Sequence, residues 1–247
     1  MTVRQVVNAL ELIEFFAERG RPASLAEISK HFGWPRSSTF NLLRTLSNRG
    51  YLYEPQAKQG YYPSPRWITL IHKIDQAGLI PPALQELVKA VCDRTNETTV
   101  LAGISGMQAL FLCAVETVRD VRYAAHVGKT VPLHTTATGR ALLAQLPEPS
   151  KASILKRVTF QRYTPFSLMS VEAVEREIAV SLNRGYFEGI GEYSRDLGGY
   201  ALILPNQERQ LALLVAGPWG RVSPMKDEIL RIMREEISRY VPDAPPG

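Results

Sequence analysis

Arg36, Ser37, Ser38, Phe40, Asn41, Arg44 and Asn48 lie within thirteen residues of one another. On a helix advancing about 100° per residue, Ser37, Asn41, Arg44 and Asn48 fall on one face, flanked by Arg36 and Phe40. This is hydrogen-bonding, cationic chemistry. Asparagine pairs bidentately with adenine and arginine with guanine, each pairing discriminating by about 1–3 kcal/mol. Phe40 offers an apolar contact to a thymine methyl. Ser37 and Ser38, in the first turn, suit phosphate oxygens together with the amides there. Leu42, Leu43 and Leu46, with Thr39 between them, take the opposite face and are expected to pack inward. The alternative for such a face is simple solvation, so the surrounding elements decide.

Those elements form a consistent series. Val6, Leu10, Ile13 and Ala17 repeat at helical spacing, and their face is expected to be the apolar one. Ser24 and Glu27 form a capping box that opens a short helix carrying Leu25, Ile28 and Phe32. Gly33 ends it in a tight turn, and Pro35 starts the helix from Arg36 to about Asn48. After Gly50, residues 51–54 and 60–63 read as two short strands joined by the polar tip 55–59. Arg21, Lys58 and Gln59 are candidate phosphate contacts. Helix, helix, turn, helix and hairpin make a winged helix-turn-helix, whose second motif helix enters a major groove.

Charge placement agrees. The 247 residues carry a net charge of +5. Residues 1–66 hold nine Lys/Arg against five Glu, while the remainder holds twenty against nineteen acids. Cys92 and Cys113 form no CxxC and no metal-ligand spacing, which fits a reduced, cytoplasmic protein. The N-terminus, interrupted by Glu11, Glu14 and Glu18, is no signal peptide, and no apolar run reaches the roughly 18 residues of a membrane span.

The expected organisation is a DNA-binding domain at 1–66, a linker helix at 67–80, a second domain at 81–241 and a disordered tail at 242–247. In the second domain, helices are expected at 82–96, 138–145, 150–157 and 170–183. A last helix, capped by Ser223-Pro224, is expected to reach about Tyr240. Strands are expected at 98–104, 109–116, 122–126, 199–204 and 211–217, giving an α+β fold of mostly antiparallel strands enclosed by helices.

Four segments carry a resemblance. SLAEISKHFGWPRSSTFNLLRTLSNRGYL resembles the helix-turn-helix of the IclR family of transcriptional regulators. VPLHTTATGRALLA is similar to the family's PLHxTxxGKALLA, NRGYFEGIGEY to RGYxxDxEE, and LLVAGP to SVSGP. They stand in family order along nearly the whole chain. The resemblance implies a GAF-like effector-binding domain, with an antiparallel sheet between helices, and binding of an operator as a homodimer or dimer of dimers.

It also implies an effector cavity. Thr136, Ala137 and Thr138, leading into a helix, are candidates for gripping a carboxylate through hydroxyls and amides. The family's Asp aligns with Gly189, with Glu192 nearby, and its Cys with about Gly199, beside Tyr200. Its two Ser align with Leu214 and Ala216. Exchanging polar ligands for Gly, Leu and Ala implies a roomier, more apolar cavity, suited to a larger acid such as an aromatic one. Tyr123, His126, Tyr193 and Tyr200 are candidate lining residues, although core packing explains such aromatics equally well. His126 and His134, without nearby Cys or a third His, read as core or loop residues rather than metal ligands.

No catalytic constellation emerges, and no cofactor or metal is expected. Gly103-Ile-Ser105-Gly106 lacks the spacing of a nucleophile elbow. Gly128-Lys129-Thr130 has Tyr123 where a P-loop needs glycine, and GxGxxG is absent. The reading is a DNA-binding regulator, not an enzyme, modulated by a small organic acid. The alternative is a ligand-sensing module acting through protein contacts.

Overall fold

In the computed structural model, which describes residues 2–55, 60–76, 80–205 and 207–242, three helices open the chain. These are α1 (Arg4–Arg19), α2 (Leu25–Phe32) and α3 (Arg36–Asn48). The Ser24/Glu27 capping box is formed in both directions, and Gly33 ends α2 in the left-handed conformation. Strands β1 (Leu52–Tyr53) and β2 (Tyr62–Pro63) pair antiparallel as a short hairpin. Gly60 lets that hairpin approach residue 23: a Cβ there would lie 2.3 Å from the Ala23 carbonyl oxygen. Helix α4 (Arg66–Gln76) follows. Lys58 and Gln59, expected at the hairpin tip, lie outside the described residues, as do positions 77–79 and 243–247.

Contacts divide the chain into two units, Met1–Leu79 and Ile80–Gly247, so α4 belongs with the first. The first unit's core gathers Leu12, Phe15, Phe16, Ala23, Ile28, Leu43 and Leu52. The inward face of α1 differs from expectation: Val6 and Leu10 are 57% and 60% exposed, whereas Leu12 and Phe16 are fully buried. Both sets keep helical spacing, and the one with two phenylalanines buries more apolar area.

The second unit runs α5 (Pro82–Thr95), β3 (Thr98–Ser105), β4 (Gln108–Val115), β5 (Thr130–Pro132), α6 (Ala137–Leu143), α7 (Glu148–Leu155), α8 (Val171–Arg184), β6 (Phe187–Ile190), β7 (Leu197–Ile203), β8 (Leu211–Pro218), α9 (Trp219–Val222) and α10 (Lys226–Tyr240). Six strands make one antiparallel sheet in the order β5-β4-β3-β8-β7-β6. One sheet face packs Val100, Phe111, Ala201, Leu214 and Ala216 with residues of α6 and α8. The other packs Leu101, Tyr200, Leu202, Leu213 and Val215 with α5 and α10. Successive strand residues divide between the faces, as the pleat requires.

Two local expectations are corrected, and one strand is added. Residues 122–126 form no strand; the sheet edge is β5, and the preceding segment is a loop tied by its polar groups, with Lys129 Nζ donating to the Ala124 carbonyl at 2.8 Å. β6 was not anticipated, since Phe187-Glu-Gly-Ile is too short and mixed to signal a strand. Ser223 closes α9 instead of capping the last helix, which starts after Met225 without a side-chain cap.

Candidate functional site

Two places combine exposure with chemistry. The first is α3. Thr39 and Leu43 are buried and Leu42 and Leu46 half-buried, which fixes the helix against α1 and α2. Arg36, Ser37, Ser38, Phe40, Asn41, Arg44 and Asn48 are all exposed. Thr39 anchors the first turn by donating from Oγ1 to the Pro35 carbonyl at 3.0 Å. The structure thus places every expected residue of this helix on one solvent-facing surface rich in donors.

The second is a cavity of about 60 Å³ in the sheet unit, open to solvent. Its floor is a row of small residues on adjacent strands. Gly189 pairs with Gly199, Gly199 with Ala216, and Ala216 with Thr98. Phe111, Tyr123, Tyr193, Leu197 and Leu214 wall it, and Thr135, Thr136, Ala137 and Thr138 form one side. The floor glycines are sites of close backbone approach, not empty space as expected. A Cβ at Gly199 would lie 2.5 Å from the Val215 carbonyl oxygen, and one at Gly189 would lie 3.3 Å from the Ala137 amide nitrogen.

The polar groups differ in availability. Thr136 Oγ1 is engaged twice, donating to the Pro132 carbonyl at 2.7 Å and accepting from the Gly139 amide at 3.0 Å. The first-turn amides of Ala137 and Thr138 have no intrahelical acceptor. Glu192 borders the cavity, but its carboxylate is held by Arg140, which is fully buried: Nη2 donates to Oε1 at 3.0 Å and Nη1 donates to Oε2. Arg140 Nη2 also donates to the Glu188 carbonyl at 2.6 Å.

Two expected lining residues are elsewhere. Tyr200 is fully buried on the opposite sheet face, 6.1 Å from Tyr186 between ring centroids. Adjacent residues of a strand point to opposite faces, so Gly199 and Tyr200 cannot both face the cavity. His126 is exposed, with Nδ1 3.1 Å from the Val127 carbonyl. His134 is buried, and loss of hydration pulls its pKa below the usual histidine value. Sequence reasoning missed Phe111, Val131, Thr135 and Ser194; the inward alternation of β4 was the only signal available for Phe111. Among the described residues, no group of three or more His, Cys, Asp or Glu can hold a metal ion, and no helix is long and apolar enough to cross a membrane.

A winged helix-turn-helix presenting a cationic, hydrogen-bonding helix, in one chain with a sheet unit that holds a cavity, defines the class of DNA-binding regulators. A model of the IclR helix-turn-helix domain matches residues 5–55, and one of the bacterial transcriptional regulator IclR C-terminal domain matches residues 71–239. The chain belongs to the IclR family of DNA-binding transcriptional regulators. The acetate operon repressor of Salmonella typhimurium is 25% identical to it over 225 residues, 90% of this chain and 82% of that one. The solved IclR of Thermotoga maritima has a TM-score of 0.75 at 21% identity, over 96% of this chain and 98% of that one. An IclR homolog from Microbacterium hydrocarbonoxydans, complexed with 4-hydroxybenzoate, has a TM-score of 0.75 at 21% identity, covering 97% and 98%. The curated relatives are named as repressors and regulators, which makes this a regulator family and not an enzyme family.

Proposed function

We propose that the chain reads its operator through the exposed face of α3 and that a small aromatic acid, bound in the cavity of the sheet unit, modulates this binding. The observation that carries the ligand reading is the wall of Phe111, Tyr123, Tyr193, Leu197 and Leu214 facing the turn that holds Thr136, Ala137 and Thr138. Aromatic and apolar walls take the faces of a planar ring out of water. The carboxylate lies at the amides of Ala137 and Thr138. The 4-hydroxybenzoate held by the Microbacterium homolog supports the same chemical class. A pyruvate-sized acid would leave the walls wet.

The chain acts as a homodimer. Val3, just before α1, and Val6 and Leu10 on it are more than half exposed, as are Ile68, Ile71 and Ile74 on α4. Exposed Glu14 and Glu18 on α1 complement exposed His72 and Lys73 on α4. A second copy buries both stripes symmetrically, placing two α3 helices about 34–36 Å apart for successive major grooves. Domain roles follow the same division: the first unit binds DNA and the second senses, in a cytoplasmic protein.

The test is a thermal-shift screen. Benzoate-type acids are expected to raise the melting temperature of the sheet unit. A rise with pyruvate-sized acids and none with aromatic acids would contradict the ligand reading.

A further inference from the structure

His134 stands beside the cavity with half of its ring chemistry unused. The residue is 1% exposed. Its Nε2 lies 3.2 Å from the Gln161 carbonyl, whereas Nδ1 is buried and has no hydrogen-bonding partner among the described residues. A carbonyl only accepts, so Nε2 carries the proton and Nδ1 is a bare lone pair on a neutral ring. Phe160 meets the imidazole at 5.2 Å between ring centroids and Tyr163 at 6.4 Å.

That one hydrogen bond ties two sides of the site together. Thr135, next in the chain, lines the cavity, and the Tyr163 ring lies 5.1 Å from that of Tyr193, which walls it. Other fastenings of the 160–167 segment are bonds that do not titrate. Thr164 Oγ1 donates to the Gly191 carbonyl at 2.7 Å, and Ser167 Oγ accepts from the Tyr163 and Thr164 amides, each at 3.0 Å.

A proton added at Nδ1 would be a buried donor without an acceptor, on a ring that has become a cation. The charged groups around the ring do not offset it. From α6, Arg140 Nη1 donates to the His134 carbonyl at 3.4 Å, bringing a like charge. From the 191–194 segment, the Glu192 carboxylate is already bound by Arg140. From the 160–167 segment, Arg162 is a second cation, donating to the Pro165 carbonyl at 3.4 Å, and burial raises the pKa of the Tyr163 phenol, which stays neutral. Loss of hydration, with the Arg140 charge added, holds the imidazole below its ordinary 6.5, against the opposing pull of the Gln161 bond.

We propose that His134 is a positioning residue that acts as a proton-operated latch: neutral, it holds the 160–167 segment against the cavity wall, and protonated, it releases that segment and loosens Tyr193. The latch itself needs no ligand; its effect on affinity rests on the reading that an organic acid occupies the cavity. With the folded value below the unfolded one, closure is complete above pH 6.5 and is lost as pH falls below it. A released imidazole is charged about tenfold over neutral at about pH 5.5, so opening rises by up to about tenfold there.

The experiment is hydrogen exchange of residues 160–167 in the full chain at about pH 7.5 and about pH 5.5, corrected for intrinsic exchange, on wild type, His134→Gln and His126→Gln. Glutamine keeps a donor for the Gln161 carbonyl and does not titrate. Wild type and His126→Gln are expected to lose about tenfold in protection on acidification, and His134→Gln to be equally protected at both values. Protection in wild type that stays flat, or a loss that persists in His134→Gln, overturns the latch. Should His134→Gln not fold, the His134 imidazole signal in wild type decides, assigned by replacing the exposed His31, His72 and His126 in turn. A titration midpoint that matches the loss of protection supports the latch, and a mismatch overturns it. Benzoate, titrated calorimetrically at both pH values, is expected to bind wild type more weakly in acid and His134→Gln equally at both. If benzoate binds at neither, the aromatic-acid reading falls, and the exchange result still decides the latch.

Discussion

Arg140 and Glu192, 52 residues apart in sequence, form a two-point ion pair in which the guanidinium is fully buried and the carboxylate is at the cavity's edge. The Glu192 carbonyl accepts from Ser167 Oγ at 2.8 Å and from Thr135 Oγ1 at 3.2 Å. Glu192 thus joins α6, the 164–167 loop and the segment carrying Tyr193. Its charge is spent on Arg140, which leaves the cavity without a free carboxylate to repel an acid. Removing one partner of a buried pair strands the other charge, at about 3–5 kcal/mol. Glu192→Ala is expected to destabilise the sheet unit by that amount in denaturant unfolding; a midpoint unchanged from wild type would contradict it.

The reading face of α3 makes a separable prediction. Asn41→Ala and Arg44→Ala are each expected to weaken operator binding by about 1–3 kcal/mol while changing non-specific binding less. Leu43→Ala, by contrast, removes a buried side chain and should destabilise the first unit by about 2–5 kcal/mol. Competition titrations against scrambled DNA, with a parallel melt, distinguish the two effects.

The capping box titrates. Hydrogen bonds from the Ser24 backbone and hydroxyl, then from Arg19, hold the Glu27 carboxyl down at about 2, against an ordinary 4.5. A folded value below the unfolded one gives stability that is complete above pH 4.5 and lost as pH falls through the folded value of about 2. Glu27→Gln is expected to melt below wild type near neutral pH and to converge with it on acidification. Ser24→Ala is expected to cost about 1 kcal/mol.

The cavity floor admits little change. At Gly199 a Cβ would press on the Val215 carbonyl and on Ala216. Gly199→Ala is expected to cost about 1–3 kcal/mol by forcing strands β7 and β8 to shift. It should also weaken aromatic-acid binding, measured on the same sample by calorimetry.

What the sequence disclosed followed the range of the forces involved. The α3 boundaries, the capping box and the Gly33 turn were legible because each depends on neighbours within a few residues. The face of α1 was misjudged because two apolar stripes share one period, and only the rest of the core shows which is covered. Tyr200 was misplaced because a register counted from a resemblance does not say which strand face looks into a cavity. The Arg140–Glu192 pair joins distant segments and carries no local signal, and the row of Gly189, Gly199 and Ala216 was reached only through the family resemblance.

The central claim, a sequence-specific regulator released or engaged by an aromatic acid, is tested most directly by fluorescence anisotropy. Labelled DNA from upstream of the gene is titrated against scrambled DNA at two salt concentrations, with and without 4-hydroxybenzoate. The account predicts at least about a thousandfold preference for the upstream DNA, affinity falling steeply with salt, and a ligand-dependent shift of about five-fold or more. Equal, weak and ligand-insensitive binding to both DNAs, repeated across other genomic fragments, would contradict it and favour a sensing module that acts through protein contacts.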